Sequence, residues 1–318
     1  MKIKIDIYSG FLGAGKTFLM KKLITEGAYE NNIAIIENEF GEVSIDAAIL
    51  RASNIEVKEI NSGCICCQVT GDFKSAILEV IKEYKPDRII VEPSGVAKLT
   101  DIVKVFNDES LNEKVVIDNI ITVIDPEKFN SYIENFKEFY ENQIINAKKI
   151  VLSRTQKLNS QDFGDIISRI KRLNKEAIII TDEWSKLEGK FILENNHLEA
   201  SKYEAINIKG SKLNKAKLSK RIEEHKKADE IFETFAIYPK AKISKLELIS
   251  KFKFISSSKT YGDVLRAKGI VTLLDGSNGQ FDFVKDEFQI REIKNESKSV
   301  ISFIGIKLNK DQLKSLFK

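Results

Sequence analysis

With 318 residues, 42% of them hydrophobic and 31% charged, the chain has the composition of a globular protein with room for one large domain and a smaller one. The formal net charge of +4 is small for this length, and the lysine-dense stretch Lys209–Lys227 contains glutamates and lacks aromatics, so it reads as a solvated connector rather than a nucleic-acid surface. No apolar run approaches the roughly 18 residues of a membrane span. The opening MKIKIDIYSG lacks a signal-peptide core, so the expected location is cytoplasmic, with neither nucleic acid nor membrane as a partner.

In chain order, Lys2–Tyr8 is a strand candidate, followed by a glycine-rich turn and a helix from about Lys16 to Tyr29. Ile33–Glu37 and Ile55–Ile60 are strands, and a helix near Asp72–Tyr84 leads into the apolar strand Asp87–Glu92, stopped by Pro93 and Gly95. Ile120–Asp125, Lys149–Ser153 and Ala177–Thr181 complete the apolar set, with helices at about Asn130–Ala147 and Gln161–Leu173. Strands that are apolar throughout and separated by helices predict an α/β fold, a doubly wound, mainly parallel sheet covered on both faces. Residues 1–208 form this unit, residues 209–229 a helical connector and residues 230–318 a smaller α+β domain. In that last unit the strands are expected at Ile231–Tyr238, Gly269–Leu274, Gly279–Val284 and Val300–Leu308. Its helices are expected near Ser244–Phe252 and Lys310–Phe317, the second capped by Asn309.

The segment Gly10-Phe11-Leu12-Gly13-Ala14-Gly15-Lys16-Thr17 fits G-x-x-x-x-G-K-[ST], follows an apolar strand and opens a helix, the context a phosphate-binding loop requires. Its glycines let the backbone N–H groups turn inward on phosphate oxygens, and the helix N-terminus adds a favourable dipole. Lys16 would reach the β- and γ-phosphates and Thr17 would ligate Mg²⁺. A carboxylate at the end of a neighbouring strand is the natural magnesium-side acid, and Glu92 holds that place. Glu37-Asn38-Glu39-Phe40-Gly41-Glu42 follows the second strand, and its carboxylates could contact Mg²⁺, orient water or bind another cation. Glu39 is the candidate for the catalytic set.

All three cysteines, Cys64, Cys66 and Cys67, fall within four residues. That is a poor disulfide framework and a plausible site for a soft or borderline ion, with Glu37, Glu42 or water completing the ligands. A redox dithiol is the alternative.

Together GFLGAGKT at Gly10–Thr17, ENEFGE at Glu37–Glu42, CICC at Cys64–Cys67 and EPSG at Glu92–Gly95 resemble the CobW-like family of P-loop GTPases. The segment Gly262–Gly269 looks like the signature of that family's C-terminal domain. The resemblance implies a slow GTPase that couples nucleotide state to handling zinc or cobalt. Its expected partner is a client apo-metalloprotein or corrinoid-pathway protein, with a homodimer left open. It places Gly10, Gly13, Ala14, Gly15, Lys16 and Thr17 on the phosphates, Thr17 and Glu92 on Mg²⁺, Glu37–Glu42 in a switch, and the cysteines on the transported Zn²⁺ or Co²⁺. One departure concerns the base. Where relatives carry NKxD, this chain has Ser153-Arg154-Thr155-Gln156. Gln156 cannot copy the bidentate contact of an Asp with guanine and can meet a guanine or adenine edge, while Arg154 could stack on the base. GTP is therefore the expected nucleotide, with ATP not excluded. A nucleotide-gated regulator with little turnover and a metal- or redox-sensing cysteine cluster is the alternative function.

Overall fold

The computed structural model describes residues 2–29, 32–37, 56–59, 69–158, 160–194, 231–285, 287–293 and 298–318. The expected connector 209–229, together with Glu39, Glu42, Cys64, Cys66 and Cys67, lies outside the described residues.

The apolar runs of the first half become seven parallel strands: β1 (Ile3–Ser9), β2 (Ile33–Glu37), β3 (Glu56–Glu59), β4 (Arg88–Glu92), β5 (Val115–Ile124), β6 (Lys149–Leu152) and β7 (Ile178–Ile180). Their order is β3-β2-β4-β1-β5-β6-β7. Chain direction across the sheet therefore reverses at β1, whose neighbours are β4 and β5. Open α/β sheets bind ligands beyond the carboxyl ends of strands at such a reversal.

Alternation along β1 explains why helices cover both faces. Ile5 and Ile7 join Phe73, Ile77 and Val80 of α2 (Val69–Tyr84) and Ile102 and Phe106 of α3 (Leu99–Phe106). Tyr8, on the opposite face, packs with Leu19, Met20 and Leu23 of α1 (Lys16–Thr25). Among the described residues no helix is long and apolar enough to cross a membrane.

The expected helix Asn130–Ala147 is two, α5 (Phe129–Asn135) and α6 (Lys137–Ile145), after a short α4 (Glu109–Asn112). Phe136 breaks the run at φ −130°, ψ 30°. The break re-aims α6 so that Tyr132, Phe136, Phe139 and Tyr140 all enter one buried aromatic cluster. Helices α7 (Ser160–Leu173) and α8 (Gly189–Leu193) complete the first unit.

The second unit is a five-stranded antiparallel sheet, β8 (Glu233–Ile237), β9 (Asp263–Thr272), β10 (Asn278–Val284), β11 (Glu287–Ile293) and β12 (Val300–Ile306), ordered β11-β10-β9-β12-β8. Edge strand β11 was not expected from the sequence, because it is half-exposed and reads EFQIREI without a continuous apolar run. One face packs against α9 (Lys245–Ser257) and α10 (Lys310–Leu316) through Leu248, Phe252, Phe281, Phe303 and Leu313. Asn309 caps α10 as expected, its side chain accepting from the Gln312 amide.

The period-2 alternation of these strands sends the intervening residues the other way. Arg266 and Lys268 of β9 and Ser302 and Ile304 of β12 face the first unit. The two units share a core, in which Phe232, Leu265 and Ile304 pack with Phe11, Phe136 and Phe139.

Candidate nucleotide site

The loop after β1 is built on left-handed glycines. Gly10 sits at φ +137°, and a Cβ there would lie 2.3 Å from the Val123 carbonyl oxygen, so only glycine lets β1 turn this close to β5. Gly15, at φ 101°, is the N-cap of α1, and the N–H groups that open the helix border the loop.

Lys16 is 4% exposed. Its ammonium donates to the Gly10 carbonyl at 3.0 Å and the Phe11 carbonyl at 3.4 Å, and lies 3.9 Å from the Glu92 carboxylate. Burial nevertheless wins over that carboxylate and pulls the Lys16 pKa down from 10.5 to about 8. The Thr17 hydroxyl is 2.9 and 3.0 Å from the two Glu92 oxygens. Register places Glu37 directly beside Glu92 at the ends of β2 and β4, and Glu37 is buried. Glu37, the first residue of the acidic segment, therefore lies at the same sheet end as the loop.

Lys16, Thr17, Glu37 and Glu92 form one wall of a single cleft of about 510 Å³, counting its open mouth. The opposite wall comes from the second unit: Arg266, Lys268, Ser302 and Ile304. Asp282, opposite Lys268 in the β9–β10 register, accepts from Arg266 Nη2 at 2.9 Å and Nε at 3.3 Å and lies 4.0 Å from Lys268. Sequence reasoning assigned these three residues no role. The signal was there in DVLRAKGIVT, where two cations two residues apart share one face of an otherwise apolar strand.

On the other side of the loop, Ser153 is buried and its amide donates to the Ile124 carbonyl. Arg154 adopts φ 53° and directs its guanidinium to Asp125, to the Gly13 carbonyl and to Glu287 of β11. That guanidinium is thus engaged in ion pairs, which hold the expected base-side loop against the second unit. Gln156 is exposed in a short 3-10 turn. Trp184 stands in no motif that the sequence offered. Its indole N–H donates to the Leu152 carbonyl at 2.8 Å, its ring stacks on Phe18, and it lies 3.4 Å from where a Gly15 Cβ would be.

The donor set fits magnesium. A hydroxyl and a carboxylate, both hard oxygen donors, converge at the loop, as a small divalent cation requires. Among the described residues no group of three or more His, Cys, Asp or Glu side chains is gathered to hold a metal. Glu37 is the one member of the expected transition-metal set that is described.

Comparison with known proteins matches residues 4–181 to the nucleotide-binding domain of CobW/HypB/UreG and residues 232–318 to the cobalamin synthesis protein CobW C-terminal domain. The zinc chaperone YjiA of Escherichia coli K12 is 29% identical over 185 residues, 56% of this chain and 57% of the relative. A zinc chaperone CobW from Sinorhizobium sp is 30% identical over 187 residues, 50% of this chain and 52% of the relative. The zinc-regulated GTPase metalloprotein activator 1 of Saccharomyces cerevisiae is 40% identical over 134 residues, 40% of this chain and 31% of the relative. The chain thus spans between a third and three-fifths of the length of these relatives, roughly. With the phosphate loop, its flanking carboxylates and both domain types in one chain, the protein belongs to the CobW/HypB/UreG family.

Proposed function

We propose that this chain is a magnesium-dependent NTPase, using GTP with ATP as the alternative, that couples its nucleotide state to binding and delivering a transition metal. The observation that carries the reading is the arrangement of Lys16, Thr17 and Glu92 on one cleft, with Glu37 one strand over. Lys16 is held in place by the loop's own carbonyls, and its ammonium is the group that would transfer to the β- and γ-phosphates. Thr17 and Glu92 would hold Mg²⁺, which when bound neutralises charge on the phosphate oxygens. Glu37 opens the expected switch Glu37–Glu42, within which Glu39 is proposed to orient water.

Cys64, Cys66 and Cys67, with Glu37 and Glu42, are the proposed transition-metal ligands. Ordering of the switch by the terminal phosphate would alter that site. Zinc is favoured over cobalt because the relatives are named zinc chaperones. The proposed partner is a client apo-metalloprotein, the proposed location cytoplasmic, and the proposed units are residues 1–208, 209–229 and 230–318.

The test is a titration of the metal-free chain with GTP and ATP, with and without Zn²⁺ or Co²⁺, alongside Cys66→Ser. Magnesium-dependent phosphate release and metal binding that is lost in Cys66→Ser support the reading. Unaltered Zn²⁺ and Co²⁺ affinity in the variant would sink the metal half, and absence of nucleotide binding the other half.

A further inference from the structure

We propose that the C-terminal sheet reads the terminal phosphate of the nucleotide, with Arg266 and Lys268 as its two contacts, so that a triphosphate holds the two units together more firmly than a diphosphate. The proposal rests on the nucleotide reading above and extends it to residues of the second unit.

Placement is the first argument. Arg266 and Lys268 line the same cleft as Lys16, Thr17 and Glu92. In a loop of this type the lysine and the hydroxyl mark the β- and γ-phosphate end, whereas the expected base side lies towards Ser153 and Arg154. A cation on the wall opposite Lys16 therefore faces the terminal phosphoryl group rather than the base.

Burial is the second argument. The Arg266 and Lys268 side chains are only 16% and 13% exposed. Desolvation lowers the pKa of Lys268, opposed by Asp282 and Glu37. Two cations drawn out of water beside a third, Lys16, form a costly arrangement, which Glu37 and Glu92 of the cleft and Asp282 behind Arg266 offset. Two of those carboxylates are also fixed by hydrogen bonds. Glu92 accepts from Thr17, and Asp282 grips both Nε and Nη2 of Arg266. The Asp282 contact fixes the guanidinium in the cleft wall, so a phosphate meets a pre-placed fork rather than a mobile side chain.

Mechanical continuity is the third argument. On the same sheet face, Val284 of β10 would be 3.0 Å from a Cβ at Gly13, so the strand that carries Asp282 rests on the phosphate loop itself. Ile304 of β12 lines the cleft and also belongs to the core shared with Phe11. A change at the terminal phosphate is thus felt by packed strands of the second unit without an intervening loop. By linkage, whatever affinity Arg266 and Lys268 add for the triphosphate is the stabilisation that the triphosphate adds to the closed contact between units.

The experiment uses the full chain with Mg²⁺. It compares affinities for fluorescent GDP and a non-hydrolysable GTP analogue in the parent, Lys268→Gln, Lys268→Arg and Arg266→Gln, with nucleotide-free melting curves for each. The expected result is that Lys268→Gln and Arg266→Gln weaken the triphosphate analogue by about tenfold or more and GDP by less than about threefold, with Lys268→Arg close to the parent. Single-turnover hydrolysis is expected to fall with the triphosphate affinity. Equal losses for the two nucleotides, or no loss, in Lys268→Gln would overturn the proposal while leaving the nucleotide reading intact. If the parent binds neither these guanine nucleotides nor their adenine counterparts, the reading beneath it fails as well. Should Arg266→Gln melt early through loss of the Asp282 contact, the two Lys268 variants decide the matter alone.

Discussion

Replacing Lys16 by methionine should make the nucleotide-free chain more stable at pH 7 while ending its nucleotide binding. The side chain is 4% exposed, and its pKa falls from 10.5 to about 8 even with two carbonyls and Glu92 in reach. At 1.36 kcal/mol per pH unit, holding the charge in the fold costs about 3 kcal/mol. Methionine matches the length and flexibility without the charge, but it leaves two loop carbonyls without this donor, a loss of about 1 kcal/mol. The net expectation is a gain of about 2 kcal/mol at pH 7. The sign with pH follows from proton counting. Below pH 8 the lysine is protonated in both states, and the full cost is present. Between about 8 and 10.5 the unfolded chain still holds the proton while the folded chain releases it, so parent stability rises with pH. The variant lacks this rise, and its advantage should shrink to less than about 1 kcal/mol by pH 9.5. Urea unfolding of both proteins at pH 7 and 9.5 measures the difference with other titrations cancelled. A parent chain as stable as Lys16→Met at pH 7 would refute the reasoning.

Three other substitutions or readouts probe the same architecture. Gly10→Ala drives a Cβ to 2.3 Å from the Val123 carbonyl at a positive φ, and is expected to cost more than about 3 kcal/mol, seen as a large drop in melting temperature. Phe232→Ala empties a site shared by Phe11, Phe136 and Phe139, and about 3–5 kcal/mol should be lost in denaturant unfolding. The chain has one tryptophan, and it lies on Gly15, so saturating GTP should change the intrinsic emission. Unchanged emission at saturation would place the nucleotide away from that ring.

Much of the first unit was legible because its determinants are local. The phosphate loop is a contiguous motif, and apolar runs ending at Glu37 and Glu92 mark strands whose carboxylates emerge side by side. The break at Phe136 was not legible, since the residues on either side keep a helical period and only the shared aromatic cluster calls for the kink. Nor was the fate of Arg154. Its ion-pair partner Glu287 lies 133 residues further on, in an edge strand with no continuous apolar signal. The cationic wall of the cleft shows the same limit. Alternation in β9 puts Arg266 and Lys268 on one face, but which domain that face meets is decided by Phe232, Leu265 and Ile304 packing on Phe11's cluster. The cysteine assignment rests on sequence alone, as those positions lie outside the described residues.

Phe11 occupies a variable position of the phosphate loop, yet its ring is buried between Tyr132, Phe136 and Phe232. A loop nailed down by its own side chain meets its ligand already shaped, so capture spends little ordering entropy. One of those nails, Phe232, belongs to the segment that leads into the second unit. The customary experiment of excising a nucleotide-binding domain and assaying it alone would therefore measure a different loop. Slack in that fragment would be a product of the scissors, and only the undivided chain reports how tightly the native loop grips.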